Sequence, residues 1–315
     1  MAIDRDYLRR QGAVGIVGLG TIGQRWAAAF RHAGLDVRAY DPDPSRAAAF
    51  DAAFPALLAD VEALHGPAPA LGAFVFSGDL GAALAGVTFV QENGPERLDL
   101  KQALLAEIER HVDDDVVIAS SSSALIVSEM QRACARPGRI VLGHPFNPAH
   151  LMPLVEIVGG AATAPETVAT ARAFYEAIGR KPVVLNREVT GHLALRLMGA
   201  MWREAIALVR DGVASVEDID RAFVYGPGPK WTLQGSFISN HLNADGIDAF
   251  LVKYGPTYQA IWDDLGDAML DRETIATVSS SLRDTLGARS DDDLRAERDR
   301  GLVKILKAVS EDGAL

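Results

Sequence analysis

The chain has 315 residues, 49% of them apolar, with a net charge of −11 and a pI near 5.1. This is globular composition with length for about two domains, and it excludes a wholly disordered chain. The acidic balance, with only six lysines, argues against a nucleic-acid partner, because phosphate binding needs clustered Lys and Arg.

The single cysteine, Cys134, excludes an internal disulfide and a cysteine-based zinc cluster, and points to a reducing, cytoplasmic setting. No metal ligand cluster is visible. The opening MAIDRDYLRRQG is charged and lacks the apolar core of a signal peptide. No apolar run of about 18 residues is present, so no membrane partner is expected.

In chain order, residues 13–17 form a short apolar run ending in glycines. Residues 21–33 follow with helical spacing, stopped by Gly34. A second run, 35–40, closes at Asp41-Pro42. Further buried strands are expected at 74–76, 88–91, 116–119 and 140–142, with helical patterns between them such as 96–110. Two more strands, 154–158 and 182–185, flank a helix at 165–178. The alternation predicts a Rossmann-type, doubly wound α/β domain with a mostly parallel sheet.

After about Asn186 the strand signals fade. Helical patterns at 192–210, 216–223, 246–254, 274–286 and 292–308 predict an all-helical C-terminal domain. The boundary is placed at 187/188, giving domains 1–187 and 188–315. The junction 183–188 lacks a Gly/Ser- or Pro-rich linker, so closely packed domains with a ligand cleft between them are expected.

Four motifs carry chemistry. Gly18-Leu19-Gly20-Thr21-Ile22-Gly23 follows a strand and opens a helix, where backbone N–H groups and the helix dipole favour a pyrophosphate. Asp41 ends the next strand, 23 residues after Gly18, in the place of the acid that holds the adenosine ribose. A carboxylate there repels a 2′-phosphate and favours NAD over NADP. The competing reading is a glycine turn with Asp41 merely opening a turn.

In the second motif, His144 ends a strand before Pro145, and Glu156 follows twelve residues later inside an apolar strand. A buried carboxylate needs a partner, and an imidazole is an economical one. Such a pair fixes the tautomer of a general base. Without it, His144 is a structural histidine and Glu156 bonds to backbone or an arginine.

The third motif is the serine run Ser120–Ser123 at a strand end. It is read either as a source of a substrate-binding hydroxyl or as a helix cap. No Gly-x-Ser-x-Gly elbow accompanies it. The fourth is Gln91-Glu92-Asn93-Gly94-Pro95-Glu96-Arg97. There Glu92 is expected to face the cleft, and Glu96 either caps a helix or serves the site.

GLGTIG, Asp41, ENGPERLDLK, SSSA, GHPFNP, LVEIVGG and VTGHLALRLMGAMWREAIALVRDGVAS run in order over most of the chain. Together they resemble the L-3-hydroxyacyl-CoA dehydrogenase superfamily. WREAIALVRDGVAS, GPGPKW and HLNADG are similar to its free-acid branch, which contains lambda-crystallin (L-gulonate 3-dehydrogenase) and L-carnitine dehydrogenase. The resemblance implies His144 as catalytic base, Glu156 as its carboxylate partner and Ser122 as the active-site serine, with Ser121 or Ser123 left open. It implies dinucleotide contacts at Gly18, Gly20, Thr21, Ile22, Gly23 and Asp41. It also implies positions near the nicotinamide at Glu92, Arg97, Ser122 and Asn147, and a homodimer through the helical domain.

One departure concerns the substrate. Where the family carries a polar residue facing the site, this chain has Leu195, and His192 stands in an aromatic position. A more apolar substrate, a contact from Asn240 or His241, or weakened catalysis would each follow. The span 42–79 holds Arg46 as its only Lys or Arg, a poor surface for the phosphates of CoA. A small free hydroxy acid is therefore expected. Lys230 is the candidate cation for its carboxylate, and Trp231 is a pocket wall or a cation–π partner. Lys230 as a solvated surface residue and Trp231 as core or interface are the alternatives. An acyl-CoA dehydrogenase and an NADH-binding structural protein without turnover remain as rival functions.

Overall fold

A computed structural model describes residues 4–311; the first three residues of the charged opening lie outside it. By compactness the chain divides into units 1–194 and 195–315.

In the first unit the order is α1 (Arg5–Gln11), β1 (Ala13–Val17), α2 (Thr21–His32), β2 (Val37–Tyr40), α3 (Ser45–His65), β3 (Phe74–Ser77), α4 (Leu80–Leu84) and β4 (Val87–Glu92). Then come α5 (Leu98–Ile108), β5 (Val117–Ser120), α6 (Val127–Met130), β6 (Ile140–Pro145), β7 (Leu154–Gly159), α7 (Pro165–Ala177) and β8 (Lys181–Val184). The eight strands form one sheet in the order β3-β2-β1-β4-β5-β6-β7-β8. All neighbours are parallel except β6 and β7.

The central strands β1 and β4 to β7 are largely apolar because both faces of the sheet are covered there. Val14, Ile16, Phe89, Val117, Ala119 and Val141 point to one face, packing with Trp26, Phe30, Phe174 and Tyr175. Val17, Val90, Ile118, Ile140 and Leu142 point to the other, with Leu105, Ile108 and Met130. The period of two along each strand sends neighbouring residues to opposite cores.

This topology positions the site. β1, β2, β4, β5 and β6 run parallel, so their carboxyl ends and the loops after them gather along one edge of the sheet, where α/β sheets bind ligands. The strand order reverses between β1 and β4, and the glycine loop leaves β1 there.

Residues 188–194 belong with the first unit rather than beyond its end. Glu188 accepts hydrogen bonds from Ser128, and the N–H groups of Leu193 and Ala194 donate to Glu156. Side-chain anchoring of this kind leaves no pattern in composition.

The second unit contains α8 (Ala194–Arg210, which starts one residue before it), α9 (Val216–Tyr225), α10 (Pro227–His241), α11 (Ile247–Asp264), α12 (Arg272–Leu286) and α13 (Asp291–Glu311). Helix α9 packs on α10 and α12, and α10 on α11. Gly266 is capped by Glu204, and a Cβ there would lie 2.2 Å from the Ala207 Cβ.

Two long helices depart from the sequence expectation. No helix was expected between residues 42 and 73, yet α3 runs through Pro55, its alanine-rich stretch outweighing the break. α10 starts on Pro227, whose missing N–H costs nothing in a first turn, and kinks at Gly235.

Candidate active site

The glycine loop is shaped to admit a phosphate. Gly18 has φ +89°, and a Cβ there would lie 2.8 Å from the Asn93 carbonyl oxygen. A Cβ on Gly23 would lie 1.9 Å from the Gly18 oxygen, so α2 packs against the loop only because residue 23 has no side chain. Gly20 differs from both: a Cβ there meets nothing within 4 Å. Helix α2 starts after Gly20 with no side-chain cap, leaving its first N–H groups, beginning with Thr21 and Ile22, for an anion.

Asp41, buried at the end of β2, accepts from Leu19 N–H at 2.8 Å and Asp43 N–H at 3.0 Å. It therefore opens a turn and ties that turn to the glycine loop. An open middle glycine, an uncapped helix start and a carboxylate at the neighbouring strand end together fit a dinucleotide.

The histidine pair lies on β6 and β7, beyond β4 and β5 in the sheet. His144 on β6 is the register partner of Glu156 on β7. Directly opposed residues of an antiparallel pair point to the same face, and His144 Nδ1 donates to Glu156 Oε2 at 2.8 Å. Both side chains are buried. The other carboxylate oxygen accepts from Leu193 and Ala194 N–H, each at 2.8 Å. Burial pushes the Glu156 carboxyl up, but the His144 and backbone hydrogen bonds outweigh it and hold the group below the usual carboxylate range. Glu156 is thus a fixed carboxylate, His144 Nδ1 carries the hydrogen, and His144 Nε2 bonds to none of the described residues.

The serine run is divided among three acceptors. Ser120 Oγ donates to Glu92 at 2.6 Å, Ser121 Oγ to Asn93 Oδ1 at 2.8 Å, and Ser122 Oγ to Glu96 at 2.7 Å. The Ser122 hydroxyl also accepts from Leu125 N–H and is fully buried. The half-buried Ser123 is the member of the run whose hydroxyl bonds to none of the described residues.

Residues 13–189 match the family model of the 3-hydroxyacyl-CoA dehydrogenase NAD-binding domain, and 191–243 match that of the 3-hydroxyacyl-CoA dehydrogenase C-terminal domain. The chain belongs to the 3-hydroxyacyl-CoA dehydrogenase family. It is an NAD-dependent dehydrogenase.

Among its relatives, L-carnitine dehydrogenase of Streptomyces coelicolor is 40% identical over 95% of both chains. That of Bacillus cereus is 38% identical over 95% of this chain and 92% of the other. Among solved structures, an NAD+-dependent dismutase, 5-formyl-3-hydroxy-2-methylpyridine 4-carboxylic acid 5-dehydrogenase, superposes with a TM-score of 0.84 at 29% identity, covering 95% of this chain and 98% of its own. FadB2 of M. tuberculosis gives 0.64 at 27% identity over 77% of this chain and 88% of its own.

Two site expectations in this dehydrogenase are corrected. Glu92 does not face a cleft. It is fully buried, Lys101 Nζ donates to both its oxygens at 2.8 Å, and Gly94 N–H and Ser120 Oγ complete its shell. Ser122 does not present its hydroxyl, which Glu96 and Leu125 consume. Glu96 does not cap α5, whose cap position is Arg97. It caps the serine loop instead, also accepting from Ser123 and Ala124 N–H.

Of the remaining candidates, Arg97 is exposed and paired with Asp99 at 2.6 Å. Asn147 is exposed and bonded to Arg25. Lys230 and Trp231 both lie exposed on α10 in the second unit, Trp231 edge-on to Phe223. His241 Nδ1 accepts from Ile247 N–H within that unit.

Two residues were missed by the sequence analysis. Lys101 lies on the buried stripe of α5 with Leu105 and Ile108, a spacing that could have revealed it. Gln91 has no such signal. It accepts from Tyr175 at 2.5 Å and donates to Ser121 and to the Gly143 carbonyl, joining the loop after β5 to β6.

Proposed function

We propose that this dehydrogenase oxidises the 3-hydroxyl of a small, free L-3-hydroxy acid of carnitine or gulonate type, with His144 as general base. The observation that carries this is the buried His144–Glu156 pair in a sheet whose first strand ends in an open glycine loop. His144 Nε2 takes the hydroxyl proton. Glu156, anchored by two backbone N–H groups, holds the ring and balances the imidazolium that results. Ser123, rather than Ser122, supplies the hydroxyl that holds the reacting oxygen. Gly20, Thr21 and Ile22 hold the pyrophosphate, Asp41 the adenosine ribose, and Arg97 and Asn147 lie toward the nicotinamide end. When bound, NAD supplies the acceptor for the hydride leaving the substrate carbon.

The relatives named L-carnitine dehydrogenase, alike over nearly the whole chain, support a free acid. So does span 42–79, where Arg46 stands among Asp43, Asp51, Asp60, Glu62 and Asp79. Lys230 is the proposed cation for the substrate carboxylate and Trp231 its apolar neighbour.

The test is NADH formation at 340 nm with L-carnitine, L-gulonate, L-3-hydroxybutyrate and 3-hydroxybutyryl-CoA, with NADP in parallel. Turnover of a free acid with NAD is expected. Turnover of the thioester alone would overturn the assignment. NADH binding without any turnover would favour the structural-protein reading, for which Leu195 is the sequence feature.

A homodimer through the helical unit is part of the proposal. Ile206, Ala207, Val209 and Phe250 are the buried apolar residues described there, whereas Trp202, Tyr225, Phe237, Val252 and Trp262 are more than half exposed. That much apolar surface calls for a partner. Light scattering should give twice the chain mass at micromolar concentration; a monomer would refute this. A reducing, cytoplasmic setting completes the proposal. Burial pushes the Cys134 thiol up to about 11, so it is unreactive.

A further inference from the structure

The loop carrying Ser123 is gripped from two sides. On one side, Glu96 gathers three hydrogens at a single oxygen, Oε1. They come from Ser122 Oγ at 2.7 Å and from the N–H groups of Ser123 and Ala124, each at 2.9 Å. Partial burial pushes the Glu96 carboxyl up, but these bonds and the nearby Lys101 charge outweigh it and keep it ionised. Hydrogen bonds to a carboxylate are the stronger kind.

On the other side, His192 Nε2 lies 3.1 Å from the Ser122 carbonyl oxygen. A carbonyl only accepts, so Nε2 carries the hydrogen, while Nδ1 is buried without a partner. His192 is 2% exposed and is the non-glycine residue with positive φ, +50°, among those described. A backbone conformation that side chains rarely adopt delivers this ring to the loop. Its ring centre lies 5.2 Å from that of His144. Burial pushes the His192 pKa down, and the neighbouring His144 adds to this against the Ser122, Glu156 and Glu96 contributions. A neutral ring donates to the loop without putting a second cation beside His144.

We infer that Glu96 and His192 are positioning residues for the active-site serine. Glu96 fixes the loop through its hydroxyl and amides, and His192 fixes it through the Ser122 carbonyl. The hydroxyl of Ser123 is thereby set relative to His144 with neither clamp residue acting on substrate. The inference rests on the proposed roles of Ser123 and His144. Alignment errors near 1 Å cost a reaction about 100-fold, so the clamp should be visible in turnover.

The experiment compares Glu96→Ala, Glu96→Gln, His192→Phe and His192→Gln, each checked by thermal melt. Amide hydrogen exchange is followed over residues 121–125, with NADH affinity and steady-state kinetics on the preferred hydroxy acid. Glu96→Ala should speed exchange at Ser123 and Ala124 and lower kcat about 10- to 100-fold, leaving the NADH Kd within about twofold. Glu96→Gln keeps an acceptor oxygen and should recover kcat to within about threefold with exchange protected. His192→Phe should lower kcat in the same way, and His192→Gln, which returns a donor near Nε2, should recover it. If an Ala or Phe variant does not fold, Glu96→Asp, which withdraws the oxygen by one methylene, takes its place with the same expectation.

Faster exchange in Glu96→Ala with wild-type kcat would overturn the inference alone. So would Glu96→Gln as slow as Glu96→Ala despite a protected loop. A wild-type enzyme that turns over no hydroxy acid would instead overturn the functional reading beneath it, and the exchange data would still report whether the loop is clamped.

Discussion

Two buried carboxylates of one sheet, on β4 and β7, have opposite fates. Glu92, ending β4, faces Lys101, and every oxygen and hydrogen of the pair is consumed by the other partner, Ser120 or Gly94. Glu156, on β7, faces His144, whose ring offers one nitrogen to the carboxylate and keeps a second. The lysine pair is saturated, with no donor or acceptor left for a ligand. The histidine pair holds an equally fixed carboxylate, but its partner is an imidazole, a side chain suited to taking and giving a proton. Burial of a charged pair therefore does not itself mark a catalytic site; the proposed role of His144 rests on a ring nitrogen that the carboxylate does not use.

The sharpest way to break this contrast is to remove one carboxylate charge at a time. Glu156→Gln should lower kcat about 10²- to 10⁴-fold, since it takes away the counter-charge and, with the amide oxygen held by the Leu193 and Ala194 N–H groups, turns an NH2 toward His144 Nδ1. The NADH Kd should hardly move, and kinetics with fluorescence titration would measure both. Lys101→Met should act instead on stability, by about 3–5 kcal/mol, because it strands a fully buried Glu92. Chemical denaturation measures this, and adding Glu92→Gln in the same chain should return part of the loss. If Lys101→Met leaves stability intact but removes turnover, the roles given to the two pairs are reversed.

A smaller effect lies in the pH dependence of the melting temperature. The folded pKa of His192 is lowered, and burial beside Arg180, His32 and Arg5 pushes His65 down to about 4. Below about pH 6.5 the unfolded chain takes up these protons first, so stability falls as pH drops from there toward the folded values. The lowered carboxyls of Glu96 and Glu156 act lower down. Their contribution is whole above about pH 4.3 and is lost as pH falls through their folded values. Melts from pH 8 to 3 should show two stages of decline, and His192→Phe should shrink the first. A first stage unchanged in that variant would mean that His192 titrates as freely when folded as when unfolded.

The same contrast explains what could be read from residues alone. His144 and Glu156 were legible because a histidine at a strand end and an acid within an apolar strand each violate the local pattern. The glycine loop and Asp41 were legible because a turn, an uncapped helix and a strand end impose residue types at fixed spacing. Glu92 misled because its partner, Lys101, sits on a helix nine residues away, where the lysine breaks an apolar stripe too quietly to stand out. The serine run misled because identical neighbours differ only in which acceptor each meets, and those acceptors, Glu92, Asn93 and Glu96, lie at the end of β4 and in the loop after it. Helix α10 was hidden by its glycines and prolines, which the first turn and the Gly235 kink accommodate.

The most direct test of the central claim is His144→Ala, assayed by NADH formation with the preferred hydroxy acid beside a titration of NADH affinity. General-base catalysis by His144 predicts turnover lower by about 10²- to 10⁴-fold with NADH binding intact. Wild-type turnover in that variant would contradict it.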